Sequence, residues 1–378
     1  MKLLHLADLH IGKRVYEFSM IDDQKYILDE ILSIIDNEQP DGIMIAGDIY
    51  DKTIPSAEAV ILFDEFIAQL SKRKIETFII SGNHDSPERL AFGNRLMDNS
   101  GIHFSSLYKG SVKPFYLKDE YGTVALYMLP FLKPVIMKHW FPQEEIRSYN
   151  DAVKIAIREM NIDPSARNIL IAHQFVTGAE CSDSEELSIG GLDNIDSSLF
   201  KEFDYVALGH IHGPQKIGSE KIRYSGSPLK YSFSETRHKK SVTVIELKEK
   251  GSLTIHTVPL IPKRDFIELK GTYEELTARS FYKNTTYDKD YVHITLTNED
   301  DIPEALTKLR VIYHNLMKLD YDNIRTRHKE KINGIEEMNQ KSPIELFSEF
   351  YKKQNGTEMN EEQKNTIECL MRKIWEEN

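Results

Sequence analysis

The sequence predicts an α/β protein with a four-layer α/β/β/α core, followed by a small α+β module and C-terminal helices. Three observations lead there. Up to Ser100, short apolar runs alternate with stretches whose apolar residues recur at helical spacing, the order of a parallel sheet with helices on its faces. From Gly101 strand-like runs dominate, which supplies a second sheet. Five polar patches each follow directly on an apolar run: Asp8-Leu9-His10, Gly47-Asp48, Gly82-Asn83-His84-Asp85, His173 and Gly209-His210-Ile211-His212. Such side chains fall where buried strands give way to loops, the edge at which open α/β sheets bind.

In chain order, Lys2–Ala7, Gly42–Ala46 and Thr77–Ile80 read as short buried strands. Met20–Asp36 carries Ile27, Ile31, Ile34 and Ile35 on one helical face, and Ser56–Lys72 carries Val60, Phe63, Phe66, Ile67 and Leu70. Ser56, after Pro55, fits an N-cap. Strands are expected at Phe115–Leu117, Val124–Pro130, Ile169–His173, Tyr205–His210, Ile222–Ser225, Ser241–Leu247 and Leu253–Pro259, with one helix near Asn150–Met160.

After Pro262 the polar patches stop. Phe266–Gly271, Thr272–Ser280, Tyr291–Thr297, Pro303–Met317 and Tyr321–Arg327 read β-α-β-α-β, and His328–Gln340 reads as a linker. Ser342-Pro343-Ile344-Glu345 combines an N-cap, proline at N1 and a capping-box glutamate. The helix it opens carries Ile344, Phe347, Phe350 and Tyr351 and ends near Asn355-Gly356; a last one, Glu361–Trp375, carries Ile367, Leu370, Met371, Ile374 and Trp375. These apolar faces either fold back on the body or receive a partner's helices. The expected domains are 1–262, 263–330 and 331–378.

Composition narrows the class. At 378 residues the chain has room for a large domain plus smaller modules. Cys181 and Cys369 alone make neither a disulfide framework nor a cysteine zinc site. His5 and Asp8 break the first apolar run, so no secretory leader is expected, and no stretch approaches the ~20 apolar residues of a membrane span. A soluble cytoplasmic protein is expected. The net charge of −12 argues against nucleic acid, but it is uneven. Between Lys216 and Lys240 stand seven basic residues (Lys216, Lys221, Arg223, Lys230, Arg237, Lys239, Lys240) against Glu220 and Glu235. Screening confines such fields to about 8–10 Å, so a local patch outweighs the total. Lys230, Arg237, Lys239 and Lys240 are the candidates for contact with backbone phosphates; the alternative is an ordinary solvated face.

The patches point to phosphate-ester hydrolysis by two divalent metals about 3.5–4 Å apart, which clamp the phosphate and bind the nucleophile between them. Asp48, behind a strand and Gly47, is the candidate bridge. Asp8, His10 and His212 would complete one metal position, and Asn83, His173 and His210 the other. A lone His or Asp at a strand end is usually solvated or a cap; seven together are not. His84 follows the ligand Asn83, so its ring is expected over the metal pair, where an imidazolium protonates the leaving oxygen. Asp85 is expected to orient that ring.

The segments DLH, GDIYD, GNHDS, AHQF and GHIHGPQ resemble the calcineurin-like metallophosphoesterase superfamily. Ser182-Asp183-Ser184-Glu185, Leu187-Ser188-Ile189-Gly190-Gly191, YVALGHIHGPQ and RYSGSPLKYSFSE resemble more closely its SbcD family, the nuclease subunits of bacterial SbcCD complexes. That resemblance implies a Mn²⁺-dependent DNA nuclease, a 3′-to-5′ exonuclease on duplex ends and an endonuclease on single strands and hairpins, acting in DNA repair, recombination and replication. It also implies a homodimer bound to two copies of the ATPase SbcC through the C-terminal helices, with residues 263–330 as a DNA-capping domain. Archaeal and eukaryotic relatives carry a second histidine where this chain has Asp51, which is given no catalytic role. Two other readings are a phosphoesterase for cyclic nucleotides or phosphoproteins, and a non-catalytic scaffold of the same fold. The scaffold reading needs missing ligands, and none is missing.

Overall fold

A computed structural model describes residues 1–185, 194–324, 326, 343–355 and 358–376. The chain divides into two compact units, Met1–Phe266 and Ile267–Asn378.

The first unit is a sandwich of two six-stranded sheets. One sheet runs Leu253–Pro259, Ser241–Leu247, Lys2–Leu6, Gly42–Ala46, Glu76–Ile80, Ile102–Ser105 across its width. Its last four strands are parallel, and Ser241–Leu247 joins antiparallel to Lys2–Leu6. The other runs Gln215–Ile217, Ser219–Tyr224, Tyr205–Gly209, Arg167–His173, Gly122–Leu129, Phe115–Asp119. Strand alternation sorts the side chains. Leu3, Met44, Phe78 and Ile80 meet Leu126, Ile169, Ile171 and Ala207 in the core between the sheets. On the outer face of the second sheet, Tyr127, Leu129, Leu170, Val206 and Leu208 pack with Met137 of the Pro134–Trp140 helix and with Ala152, Val153 and Ala156 of the Tyr149–Arg158 helix. The opposite outer layer is formed by the amphipathic helices Ile21–Glu38 and Ala57–Lys72, with Ile27, Ile31, Ile35, Leu62, Phe63 and Phe66 buried. The four layers are those expected. Ser56 caps its helix by accepting the Ala59 N–H at 3.3 Å.

Two departures concern helices. Pro134–Trp140 was not expected; it opens at Pro134, pre-set for the first helical turn. In the second unit the expected helix Pro303–Met317 is only Ala305–Arg310, and the third strand is Leu316–Tyr321 instead of Tyr321–Arg327. Leu309, Tyr313 and Leu316 keep helical spacing, but the chain turns at Tyr313, whose buried hydroxyl donates to the Leu276 carbonyl at 2.7 Å. This unit has a three-stranded sheet in the order Phe266–Gly271, Tyr291–Leu296, Leu316–Tyr321, with Leu269, Leu276, Ile294 and Leu309 in its core. Helices Pro343–Asn355 and Glu361–Glu376 follow, with Phe350 and Leu370 exposed. The expected linker, the Ser342 cap, Gly356, the Leu187–Gly191 segment and the side chains of Glu345, Cys369, Ile374 and Trp375 lie outside the described residues.

Candidate metal centre

All seven expected ligands meet at one edge of the sandwich, six of them buried and Asn83 half-buried, at the carboxyl ends of strands from both sheets. His173 Nδ1–H donates to the Ala46 carbonyl of the other sheet at 2.8 Å, and the His210 N–H donates to Asp8 Oδ1 at 2.9 Å. Two glycines make this approach possible: a Cβ on Gly209 would lie 1.8 Å from the Ala46 oxygen, and one on Gly82 would lie 2.1 Å from Asp48 Oδ1. The backbone bends sharply at the ligands. Asp8, His10, Asp48 and His210 all have positive φ (54°, 44°, 50° and 104°), a conformation non-glycine residues hold only where surrounding contacts enforce it. Gln24 braces the first loop, donating to the His10 carbonyl at 2.7 Å and accepting the Gly12 N–H at 2.9 Å.

The side chains fall into two groups that share Asp48. His10 Nε2 and His212 Nε2 are 3.0 Å apart, beside Asp8. Asn83 Oδ1 lies 2.9 Å from both His173 Nε2 and His210 Nδ1. Asp48 Oδ2 stands between the groups, 3.6 Å from His10 Nε2 and 3.3 Å from His173 Nε2. Burial disfavours the Asp48 anion, but His173, His10 and His84 outweigh it and hold the carboxyl well below its usual range. Burial works against the His173 cation too, yet Asp48 and Asp8 raise it to about 9. Burial lowers His210 to about 3 and His10 well below its ordinary value, so both rings are neutral donors. Asp8, pushed up to about 7 by burial, keeps Oδ2 fully buried with no hydrogen-bond partner among the described residues. An orphaned carboxylate oxygen among converging imidazole nitrogens fits divalent cations, and the O/N donor set suits Mn²⁺, Fe²⁺, Co²⁺ or Zn²⁺.

The family comparisons agree with this geometry. Residues 1–214 match the calcineurin-like phosphoesterase family, and residues 262–355 match the family described as type 5 capsule protein repressor C-terminal domain. A Staphylococcus epidermidis protein, the SbcD subunit of the nuclease SbcCD, is 35% identical over 376 residues, 98% of each chain. The chain belongs to the SbcD family of calcineurin-like phosphoesterases. A solved Thermus thermophilus protein, TT1561, is 12% identical and overlays with a TM-score of 0.38 over 68% of this chain and 98% of its own.

Within this SbcD-family site, His84 stands where its neighbours predict, but a different group orients its ring. Its backbone N–H donates to Asp48 Oδ1 at 2.9 Å, and its ring lies edge-on to His10 with centroids 4.9 Å apart. Asp85 does not hold the ring. Its carboxylate accepts the backbone N–H groups of Ile49, Tyr50 and Gly82 at 2.9–3.1 Å and so ties the two ligand loops together. Burial and the nearby Asp48 charge raise Asp85 to about 6, with those N–H groups opposing. The His84 ring is held instead by the Asp51 carbonyl, 3.0 Å from Nδ1, while the Asp51 carboxylate pairs with Lys13 at 2.7 Å.

The basic stretch is corrected in part. Lys240 is buried, and its ammonium donates to Glu235 Oε2, to the His212 carbonyl and to Ser227 Oγ, so it cannot reach DNA. Lys230 is turned inward onto the Thr236 carbonyl and Asp265, both at 2.8 Å. Arg237 and Lys239 are exposed. Sequence reasoning missed what Ser184, Glu185 and Glu235 do. Glu185 Oε1 accepts the His212 N–H at 2.7 Å, while Ser184 Oγ and Glu235 Oε1 stand 2.8 and 3.3 Å from His212 Nδ1. Their only signal was membership in the SDSE and SFSE segments.

Proposed function

We propose that this chain is the nuclease subunit of an SbcCD-type complex, a phosphodiester hydrolase that cuts DNA with two divalent ions, Mn²⁺ by preference. Asp8, His10, Asp48 and His212 hold one ion, and Asp48, Asn83, His173 and His210 the other. The observation that carries this reading is the complete ligand set, shared across Asp48, with the His84 backbone N–H bonded to that same carboxylate. When bound, such an ion pair neutralises phosphate oxygens and supplies hydroxide near neutral pH.

The chain's own groups do the rest. Asp48 spans the two positions through Oδ2 and is oriented through Oδ1 by the His84 N–H. The Asp51 carbonyl takes His84 Nδ1–H, which leaves Nε2–H of the imidazolium to protonate the leaving oxygen. His84 lies in the same ligand-distance group as His10 and Asp48, but its Nδ1 is engaged by the Asp51 carbonyl. It acts on substrate rather than as a ligand.

Beyond the chemistry, the reading has the chain acting in the cytoplasm in DNA repair, recombination and replication, as a 3′-to-5′ duplex exonuclease and a single-strand and hairpin endonuclease. Among the described residues no helix is long and apolar enough to cross a membrane. Residues 263–330 cap the DNA end, and exposed Arg237 and Lys239 contact its phosphates. Residues 331–378 dock on SbcC, for which exposed Phe350 and Leu370 on the terminal helices are the anchors. A homodimer within a heterotetramer is supported by the apolar surface at Val60, Ile61, Phe92 and Leu96, of which Phe92 is 85% exposed. A scaffold would have no use for the intact ligand set, and a cyclic-nucleotide or phosphoprotein hydrolase none for the second unit.

The test is an assay of the purified chain with Mn²⁺, with and without SbcC, on hairpin DNA, cyclic AMP and a phosphoprotein. Metal-dependent cleavage of the hairpin is expected. Turnover of the small substrates but never of DNA, even with SbcC present, would overturn the reading.

A further inference from the structure

The four imidazoles of the ligand set are backed in different ways. His173 Nδ1 meets a backbone carbonyl, His10 Nδ1 has no hydrogen-bond partner among the described residues, and His210 turns Nδ1 itself toward Asn83. Among the described residues, His212 is the one of the four with a carboxylate within hydrogen-bond distance of Nδ1; Asp51 Oδ1 stands 3.8 Å from His10 Nδ1 and Asp8 Oδ1 3.9 Å from His173 Nδ1. His212 Nδ1 lies 2.8 Å from Ser184 Oγ and 3.3 Å from Glu235 Oε1, and Ser184 Oγ–H donates to that same Oε1. Glu235 is fully buried and its other oxygen accepts from the buried Lys240 ammonium at 2.5 Å. Lys240 also donates to the His212 carbonyl and to Ser227 Oγ, both at 2.8 Å, so the ion pair grips His212 from ring and backbone together. The Tyr231 N–H completes the surroundings of Oε1 at 3.3 Å. An apolar pair of similar volume would fill this space at less desolvation cost, so its place directly behind a ligand calls for a use.

We propose that Ser184, Glu235 and Lys240 form a positioning relay that fixes His212 in the Nδ1–H tautomer, strengthens Nε2 as a donor and makes the Asp8/His10/His212 position the tighter of the two. A carboxylate behind a ligating imidazole raises its basicity and locks its ring. The other position has the neutral Asn83 as a ligand, and the hydrogen bond behind its His173 goes to a backbone carbonyl. The two positions therefore differ in donor strength, and the chain fills them in order. Glu235 and Lys240 lie beyond residues 1–214, the stretch that matches the calcineurin-like phosphoesterase family.

The proposal rests on the two-metal reading, and the experiment separates them. Mn²⁺ is titrated into the metal-stripped full chain and followed by calorimetry and by electron paramagnetic resonance, which distinguishes isolated from coupled ions. The parent should bind two ions in two resolved steps; fewer than two overturns both readings. The variant Glu235→Gln/Lys240→Met removes both charges together, so that neither is left buried alone, and its metal-free melting curve checks folding. The tighter step should weaken about 10–100-fold while the weaker one stays put. Equal weakening of both steps, or no change, would overturn the relay and leave the two-metal reading standing. Should that variant fail to fold, Ser184→Ala decides alone: selective weakening of the tighter step supports the relay, and unchanged affinity overturns it.

Discussion

Across the sandwich, His173 Nδ1–H donates to the carbonyl oxygen of Ala46 at 2.8 Å, so one residue is both a metal-ligand candidate and a clasp between the two sheets. The ring is fully buried, and removing it leaves the Ala46 oxygen without that donor. His173→Ala should therefore destabilise the chain by about 1–3 kcal/mol even in excess chelator, as well as weakening metal binding. Urea denaturation with chelator present checks this. A purely ligating histidine would cost stability only when metal is added.

His84 should behave in the opposite way. It is half-buried, and among the described residues its ring bonds only the Asp51 carbonyl, so its loss removes no clasp. His84→Ala is expected to keep metal stoichiometry and melting temperature while turnover falls about 10²–10⁴-fold. Metal analysis alongside single-turnover cleavage checks this, and a parallel loss of metal and activity would make His84 a ligand.

The candidate ligands were legible because each is a local event: a chemically distinct side chain directly after an apolar strand. What holds them was not. Ser184 and Glu235 reach His212 from 28 and 23 residues away, and nothing in either segment marks its target. Lys240, in a run of charges, reads as solvated surface, yet it is buried because Glu235 folds beneath it. The Asp51 carbonyl that orients His84 is a backbone group with no sequence signature. Asp85 sits beside His84 in sequence, but a loop turn separates neighbours as readily as it joins them. In the second unit, Leu309, Tyr313 and Leu316 keep helical spacing while serving a helix, a turn and a strand in succession.

Gly82 offers a test of how tightly the bridge is set. A Cβ there would fall 2.1 Å from Asp48 Oδ1 and 2.4 Å from the Asp48 nitrogen, so either the carboxylate or the loop must move. Gly82→Ala should cost metal at both positions together, because Asp48 serves both. Titration with Mn²⁺ checks this. Loss at one position only would show that the bridge lies elsewhere.

His5 carries a pH dependence apart from the metal centre. Its ring spans the sheets, Nδ1 against the Tyr205 hydroxyl at 2.9 Å and Nε2 against the Leu208 carbonyl at 3.1 Å. With Nε2–H donating to the carbonyl, Nδ1 accepts from Tyr205 and the neutral ring is satisfied. Burial, only partly offset by the Leu208 bond, lowers it from 6.5 to about 3. Between those values the unfolded chain binds the proton and the folded chain does not, so stability rises with pH. Its share is complete above about 6.5 and is lost progressively as pH falls toward about 3. In His5→Asn the stability profile should be flatter over that window than in the parent, measured by denaturation at matched metal. Parallel profiles would mean that His5 does not titrate on unfolding.

The basic stretch separates by burial into two kinds of lysine and arginine. Lys240→Ala would strand the fully buried Glu235 without its cation, a change that typically costs about 3–5 kcal/mol. Arg237 and Lys239 are exposed, and Arg237→Ala/Lys239→Ala should leave the melting temperature unchanged. If both contact phosphates, the double variant lowers the slope of log affinity against log salt by about 2 on duplex DNA. Measuring that slope by fluorescence anisotropy, beside a melting curve, distinguishes the roles. Lys240 then appears in stability, the exposed pair in salt dependence, and an unchanged slope would assign the pair to plain solvated surface.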